Sequence, residues 1–74
     1  MKILARSALR KERLNRKLKL SDPSYYARIS KMQLSRIERR ERAVTNLMAN
    51  RLCQYYNKSF FELFEIVEDD KATG

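Results

Sequence analysis

The chain has 74 residues, of which 43% are hydrophobic and 35% are charged, and it contains one glycine, one proline, one cysteine and no histidine. This length accommodates one domain with one small core, and the scarcity of glycine and proline disfavours tight hairpins and favours helices. A lone cysteine excludes an internal disulfide, and without histidine the chain lacks both the usual general base near neutral pH and a tetrahedral set of zinc ligands. We therefore expect an all-α protein that is not an enzyme, with no metal and no cofactor.

The positive charge is concentrated in the residues up to Lys58. Residues 1–58 contain 16 basic and four acidic side chains, whereas residues 59–74 contain one basic and five acidic ones, and the formal net charge of the chain is +8. A basic body predicts a polyanionic partner, because neutralising phosphates releases counterions, although an anionic membrane surface would attract it as well. No apolar stretch approaches the roughly 20 residues that cross a bilayer, and the apolar start over residues 1–4 is too short for a secretion signal. We expect a cytoplasmic protein.

The pattern of the first half of the chain predicts two helices. Apolar residues recur at helical spacing through residues 3–17, and arginine and lysine fill the rest of that segment. Ser21 or Asp22 is the expected N-cap of the second helix, because Pro23 is tolerated in a first turn, where its missing N–H would have no partner anyway. This short helix is expected to run toward Ile29.

A third helix is predicted from a capping box at its start. Ser30 and Gln33 have the spacing at which a hydroxyl and an amide satisfy each other's backbone donors. Leu34 and Ile37, three residues apart, predict an inward face. At about 100° per residue the opposite, outward face consists of Met32, Arg36 and Arg39, with Ser35 beside it.

Glu38 lies on the side of this helix that is predicted to be buried, only about 40° around the helix from Leu34. An unpaired buried carboxylate is costly, so it needs a cationic partner. Arg13 on the first helix is the candidate. We expect this pair to be structural and not part of a binding site.

The second half predicts two more helices and a tail. Thr45 is the expected N-cap of the fourth helix and Asn57 its left-handed end, and Ser59 with Glu62 forms a second capping box that opens the fifth. The fifth helix is expected to present Phe60, Leu63 and Phe64 on one face, and Cys53 is expected to be a small core residue. We place the domain over residues 1–66 and expect residues 67–74 to form an acidic, disordered tail, with fraying already from residue 65.

Residues 29–42 read Ile-Ser-Lys-Met-Gln-Leu-Ser-Arg-Ile-Glu-Arg-Arg-Glu-Arg. This stretch resembles the signature of the phage-repressor helix-turn-helix family (Cro and cI type, lambda-repressor-like, XRE), which begins with Ile-Ser, continues through Ile-Ser-Arg-Ile-Glu and is often followed by Arg-Gly-Glu-Arg. Residues 59–64, Ser-Phe-Phe-Glu-Leu-Phe, are similar to the family's closing Ser-Leu-Asp-Glu-Leu-Phe. The likeness extends from about Leu9 to Phe64 and implies a compact five-helix domain.

The resemblance also implies a function and a set of contacts. It implies a dimeric repressor of phage, plasmid or other mobile-element origin that inserts residues 30–39 into the major groove of an inverted-repeat operator, with double-stranded DNA as partner and no membrane. The implied base-contacting residues are Lys31, Met32 and Arg36. The implied contacts to the DNA backbone are Ser30, Gln33, Ser35, Arg39, Arg40 and Arg42. The homodimer is expected to form through the C-terminal helix, in the region of Phe60, Phe61 and Phe64.

The chain departs from the family pattern in the second helix and in two turns. Pro23 and Ser24 replace a leucine and an alanine, so the second helix is expected to be shorter or shifted, and Arg28 and Arg40 replace the glycines of the two turns. Two rival classes stay open. One is a protein-interaction module on the same fold, such as an antitoxin or a phage-encoded inhibitor. The other is a cationic membrane-surface peptide, which the core-forming periodicity of the fourth and fifth helices disfavours.

Overall fold

The computed structural model describes residues 1–68. In chain order the elements are β1 (Lys2–Ala5), α1 (Ser7–Asn15), α2 (Ser21–Ala27), α3 (Lys31–Glu38), α4 (Asn46–Tyr56), α5 (Phe60–Leu63) and β2 (Phe64–Val67). The expected five helices are confirmed. The all-α prediction is corrected, because the N-terminal and C-terminal segments pair as two strands.

The sheet is antiparallel, with Lys2 opposite Val67 and Ala5 opposite Phe64. On its other side β1 forms a bridge to the loop before α4, where the Val44 N–H donates to the Ile3 carbonyl at 3.0 Å. The prediction of helix from residue 3 was therefore wrong over residues 3–5. The Ile3 carbonyl bonds to Val44 and Ile3 lies opposite Ile66 in the sheet, and local periodicity does not reveal partners so distant in the sequence.

The C-terminal boundary also differs from the prediction. Residues 65–67, expected to fray, belong to β2, so the predicted domain end at residue 66 falls inside a strand. Phe64 is the first residue of β2 and not the last of α5. The remainder of the predicted tail, residues 69–74, lies outside the described residues.

Residues from all seven elements form one hydrophobic core. The outer residues of β1 and the exposed faces of the helices lie outside this core. Its fully or almost fully buried apolar side chains are Ala5, Leu9, Ala27, Leu34, Ile37, Val44, Ala49, Leu52, Cys53, Tyr56, Leu63 and Phe64. Burying a Leu, Ile or Phe side chain contributes about 1.5–3 kcal/mol, which is the main stabilisation available to a domain of this size.

Local capping explains most helix boundaries. The Thr45 hydroxyl accepts from the Met48 N–H at 3.1 Å, and Asn57 ends α4 with φ 58°, as predicted. The first two helices begin without a side-chain cap, and the N-cap position of α2 is occupied by Leu20 and not by the predicted Ser21 or Asp22. The Asp22 carboxylate accepts instead from the Lys19 N–H, and α2 ends at Ala27 with Arg28 in the left-handed region at φ 63°.

The predicted ion pair between α1 and α3 is present and buried. Arg13 Nε donates to Glu38 Oε2 at 2.8 Å and Nη2 donates to Oε1 at 3.0 Å, while Nη1 donates to the Leu18 carbonyl at 3.1 Å. The hydrogen bonds that Arg13 donates to Glu38 raise the pKa of the Arg13 guanidinium, against the opposing effect of burial. The Arg13 guanidinium therefore stays charged, and its two bonds to the Glu38 carboxyl group fix α3 against α1 in two-point geometry.

We predict that Glu38→Ala lowers the free energy of unfolding by about 3 kcal/mol, because it leaves the Arg13 charge buried without its partner. The double variant Arg13→Met with Glu38→Leu should be much less destabilised than the two single changes together. Urea denaturation of the unmodified chain, of Arg13→Met, of Glu38→Leu and of the double variant measures this coupling. Additive effects would contradict the pairing.

Candidate nucleic-acid interface

A reciprocal capping box fixes the start of α3. The Ser30 hydroxyl accepts from the Gln33 N–H at 3.0 Å, and the Ser30 N–H donates to Gln33 Oε1 at 3.2 Å. Ser30 itself is extended, with φ −78° and ψ 161°, so the chain turns sharply into the helix at Lys31. Two of the predicted DNA-backbone contacts thus also hold the helix end in place.

The two faces of α3 are those that the spacing predicted. Leu34, Ile37 and Glu38 are buried, whereas Lys31, Met32, Arg36 and Arg39 are exposed and Gln33 and Ser35 are half-buried. Met32 and Arg36 lie within about 40° of each other around the helix, one turn apart. The structure therefore places the three predicted base readers, at positions 31, 32 and 36, on the solvent side of one short helix.

Three cations of this region have no internal counter-charge. Among residues 1–68, the exposed side chains of Lys31, Arg36 and Arg42 form no ion pair or side-chain hydrogen bond. Arg39 pairs with Glu41 at 3.4 Å, with both side chains more than half exposed, so this contact is weak and exchangeable. Met32 adds an apolar side chain that is 63% exposed on the same face. This arrangement suits a polyanion that also carries apolar groups.

The turn after α3 has the hydrogen bonds of a Schellman motif. The Arg40 N–H donates to the Ile37 carbonyl at 3.0 Å and the Glu41 N–H to the Arg36 carbonyl at 2.9 Å. The residue between helix and loop takes the left-handed conformation that glycine usually supplies, and here it is Arg40 with φ 64°.

The side chain of Arg40 does not share the environment of the other loop arginines. Its Nη1 donates to the Ala5 carbonyl at 2.9 Å and to Glu65 Oε2 at 2.5 Å, so the guanidinium is bound to both strands of the sheet. Among the nine predicted contact residues, Arg40 is the one whose side chain forms a hydrogen bond to a carboxylate.

The predicted dimer region is only partly at the surface. Phe64 is fully buried within its own chain, so its assignment to a dimer surface was wrong. Phe60 is half-buried between Phe61 and Phe64, at ring-centroid distances of 4.8 and 5.7 Å. Phe61 is 62% exposed and is the member of the predicted set that a partner can reach.

A second surface feature was not found from the sequence. An open groove of about 650 Å³ lies between α2 and α4 and is lined by Tyr25, Tyr26, Arg28, Arg51 and Gln54. Arg51 Nη1 donates to the Ala27 carbonyl at 3.3 Å, and Tyr25 is 89% exposed. Two adjacent tyrosines cannot both face the core from one helix, and this was the signal available in the sequence.

Other chemistry has little support in the described part of the chain. Burial raises the pKa of the Cys53 thiol, which keeps it protonated and unreactive near neutral pH. Over residues 1–68 no group of ligating side chains is arranged to hold a metal ion. None of the helices found there is long and apolar enough to cross a bilayer.

Helices α2 and α3, with the turn between them, form a helix-turn-helix unit. In this unit α2 packs against α4 and α3 packs against α1. No protein-family profile matches the chain, and no curated protein matches it. Among solved structures it is similar to the clp gene regulator ClgR from Corynebacterium glutamicum, with a TM-score of 0.70 and 25% sequence identity over 76% of this chain and 60% of that one. The fold is that of helix-turn-helix regulators, and the likeness extends over less than two thirds of the ClgR chain.

We predict that Ser30→Ala lowers the free energy of unfolding by about 1 kcal/mol, because the first turn of α3 loses a capping acceptor. Amide hydrogen exchange should quicken first at Gln33, whose N–H loses its partner. Thr45→Ala, which removes the equivalent cap from α4, serves as the matched control and should leave exchange in α3 unchanged. Unchanged exchange at Gln33 in Ser30→Ala would contradict the role of the box.

Proposed function

We propose that this protein is a sequence-specific regulator of transcription that binds double-stranded DNA with α3 in the major groove. The observation that carries the proposal is the outward face of α3, where Lys31, Met32 and Arg36 are exposed and the two cations have no counter-charge among residues 1–68. An α-helix fits the major groove, and its first turns reach the base edges. The similarity to a gene regulator supports the same class.

The chemistry of the face suggests a division of tasks. Arg36 can donate two parallel hydrogen bonds to O6 and N7 of a guanine, and Met32 can pack against the methyl group of a thymine. Lys31, in the first turn, can donate to a guanine or to a phosphate. Arg39 and Arg42 in the loop are suited to phosphates, which fix the register of the protein without reading sequence. Ser30, Gln33 and Ser35 lie at the edge of this face, close to the expected backbone.

The finer proposal is a dimeric repressor of Cro or cI type acting on an inverted repeat. Two copies related by a twofold axis would place their α3 helices about 34 Å apart, in successive major grooves. Phe61 is the exposed aromatic side chain of α5 that is available for such an interface. A phage, plasmid or other mobile-element origin and a cytoplasmic location belong to the same proposal.

A second candidate is a protein-interaction module on this fold. The groove of Tyr25, Tyr26, Arg28, Arg51 and Gln54 favours it, because tyrosine and arginine are enriched at protein interfaces and none of these residues is a predicted DNA contact. In vitro selection of bound duplexes from a random pool separates the two candidates. Enrichment of a palindrome supports the regulator, and no enrichment supports the interaction module.

We predict a steep salt dependence of DNA binding. The logarithm of the association constant should fall linearly with the logarithm of salt concentration, with a slope of about −0.9 for each phosphate neutralised. Fluorescence anisotropy with a labelled duplex between about 50 and 200 mM salt measures the slope. A binding constant that stays flat over this range would remove the electrostatic basis of the proposal.

We predict that Arg36→Ala weakens binding to the selected operator by about 1–3 kcal/mol and relaxes the preference at one base pair in each half-site. Arg42→Ala is the matched control, since it removes another exposed arginine without an ion pair among residues 1–68, this one from the loop. It should weaken operator and scrambled duplex about equally, because a phosphate contact carries no base information.

Titration of both variants against operator and scrambled duplex distinguishes base reading from simple charge. If Arg36→Ala weakens both duplexes equally, or neither, α3 is not the element that reads sequence.

A further inference from the structure

The contact between Arg40 and Glu65 joins the cationic loop after α3 to the C-terminal strand. Arg40 Nη1 donates to Glu65 Oε2 and, in the same orientation, to the Ala5 carbonyl. Glu65 lies opposite Leu4 in the strand register, one position from the pair of Ala5 and Phe64. The pairing of the two strands therefore creates the two-oxygen acceptor that holds this arginine.

Arg40 is the main cation that neutralises the Glu65 carboxylate. The other nearby cation, Arg6, is 3.7 Å from Glu65 Oε1, and its Nε already donates to the carbonyls of Phe61 and Phe64 at 2.9 and 3.0 Å. The hydrogen bond from Arg40 lowers the pKa of the Glu65 carboxyl, so this group is ionised at neutral pH. Arg40 is thus neutralised by a permanent negative charge.

A carboxylate and a DNA phosphate offer arginine the same kind of acceptor, two oxygens that share a negative charge. Arg40 lies between Arg39 and Arg42, the two loop residues suited to phosphates. Its side chain is 44% exposed and that of Glu65 is 30% exposed, so the pair is accessible to solvent and to an incoming phosphate. Exposed ion pairs contribute little to stability, and exchange of one anion for another is correspondingly easy.

We propose that Glu65 competes with the DNA phosphate backbone for Arg40. The Glu65 carboxylate holds Arg40 at the sheet and so keeps one positive charge of the loop from DNA. This inference rests on the proposed DNA-binding function and adds a determinant of its affinity. Glu65 is a positioning residue, because it acts through Arg40. It limits sequence-independent binding while leaving the base-reading face of α3 unchanged.

The test compares Glu65→Gln with Glu68→Gln on a scrambled duplex over a salt series. Both variants remove one negative charge, but only the first releases Arg40. For Glu65→Gln the salt slope should steepen by about 0.9, one additional phosphate, and affinity at low salt should rise several-fold. Glu68→Gln should change the slope much less. Equal effects of the two variants would overturn the inference, because net charge alone would then explain them.

Arg40→Gln in both backgrounds completes the cycle. Arg40→Gln should leave the salt slope of the unmodified chain unchanged. In the Glu65→Gln background it should cancel the steeper salt slope and the higher affinity at low salt. Loss of slope from Arg40→Gln alone would show that Arg40 already contacts phosphate and would also overturn the inference. If Arg40→Gln does not fold, as judged by circular dichroism, the comparison of Glu65→Gln with Glu68→Gln decides. If the unmodified chain binds no DNA at any salt, the proposed function itself fails, which is a separate result.

Discussion

The buried ion pair between Arg13 and Glu38 determines where α3 lies. Two charge-assisted hydrogen bonds, at 2.8 and 3.0 Å, hold the C-terminal turn of α3 to the last turn of α1. Replacing such a pair by apolar residues is often neutral, whereas removing one partner is costly, so its contribution is to orientation more than to stability. With Leu34 and Ile37 buried beside it, the helix cannot rotate without stranding a charge. The outward position of Met32 and Arg36 follows from this constraint.

The sheet of the two termini supports the other end of the same helix. The turn after α3 places Arg40 in the left-handed region, at φ 64°. A residue with a Cβ atom disfavours this conformation. The bonds of the Arg40 guanidinium to Ala5 and Glu65 connect the turn to both strands. Glycine at position 40 would adopt this backbone conformation without the steric cost, but it would lack the side chain that connects the turn to the two strands. The substitution of the expected glycine by arginine therefore makes the loop geometry depend on residues at both ends of the chain.

The parts that could be predicted from the sequence are those specified by residues a few positions apart. The boxes at Ser30 and Ser59, the cap at Thr45 and the inward positions of Leu34 and Ile37 all depend on spacing within one or two turns. The pairing of Arg13 with Glu38 was accessible because a buried carboxylate demands a partner. The strands could not be predicted, since Ile3 bonds to Val44 and lies opposite Ile66, both far away in the sequence. Phe64 was misplaced for the same reason, because helical spacing continues past the point where β2 begins.

Net charge by itself is a poor guide to which cations contact a partner. Arg16 is bonded to Glu12 at 3.0 Å and to the Tyr56 carbonyl at 2.8 Å, and Lys58 lies 3.5 Å from Glu12, so these charges hold the fold together. Lys31 and Arg36, in contrast, project from α3 with no such bonds among residues 1–68. A cation with an internal carboxylate must exchange that partner for a phosphate, whereas an unpaired one releases only mobile counterions. Arg10 and Lys11 on α1 are also exposed and form no ion pair among residues 1–68, so the proposal for α3 rests on its unpaired cations together with the exposed face of a helix that fits the major groove.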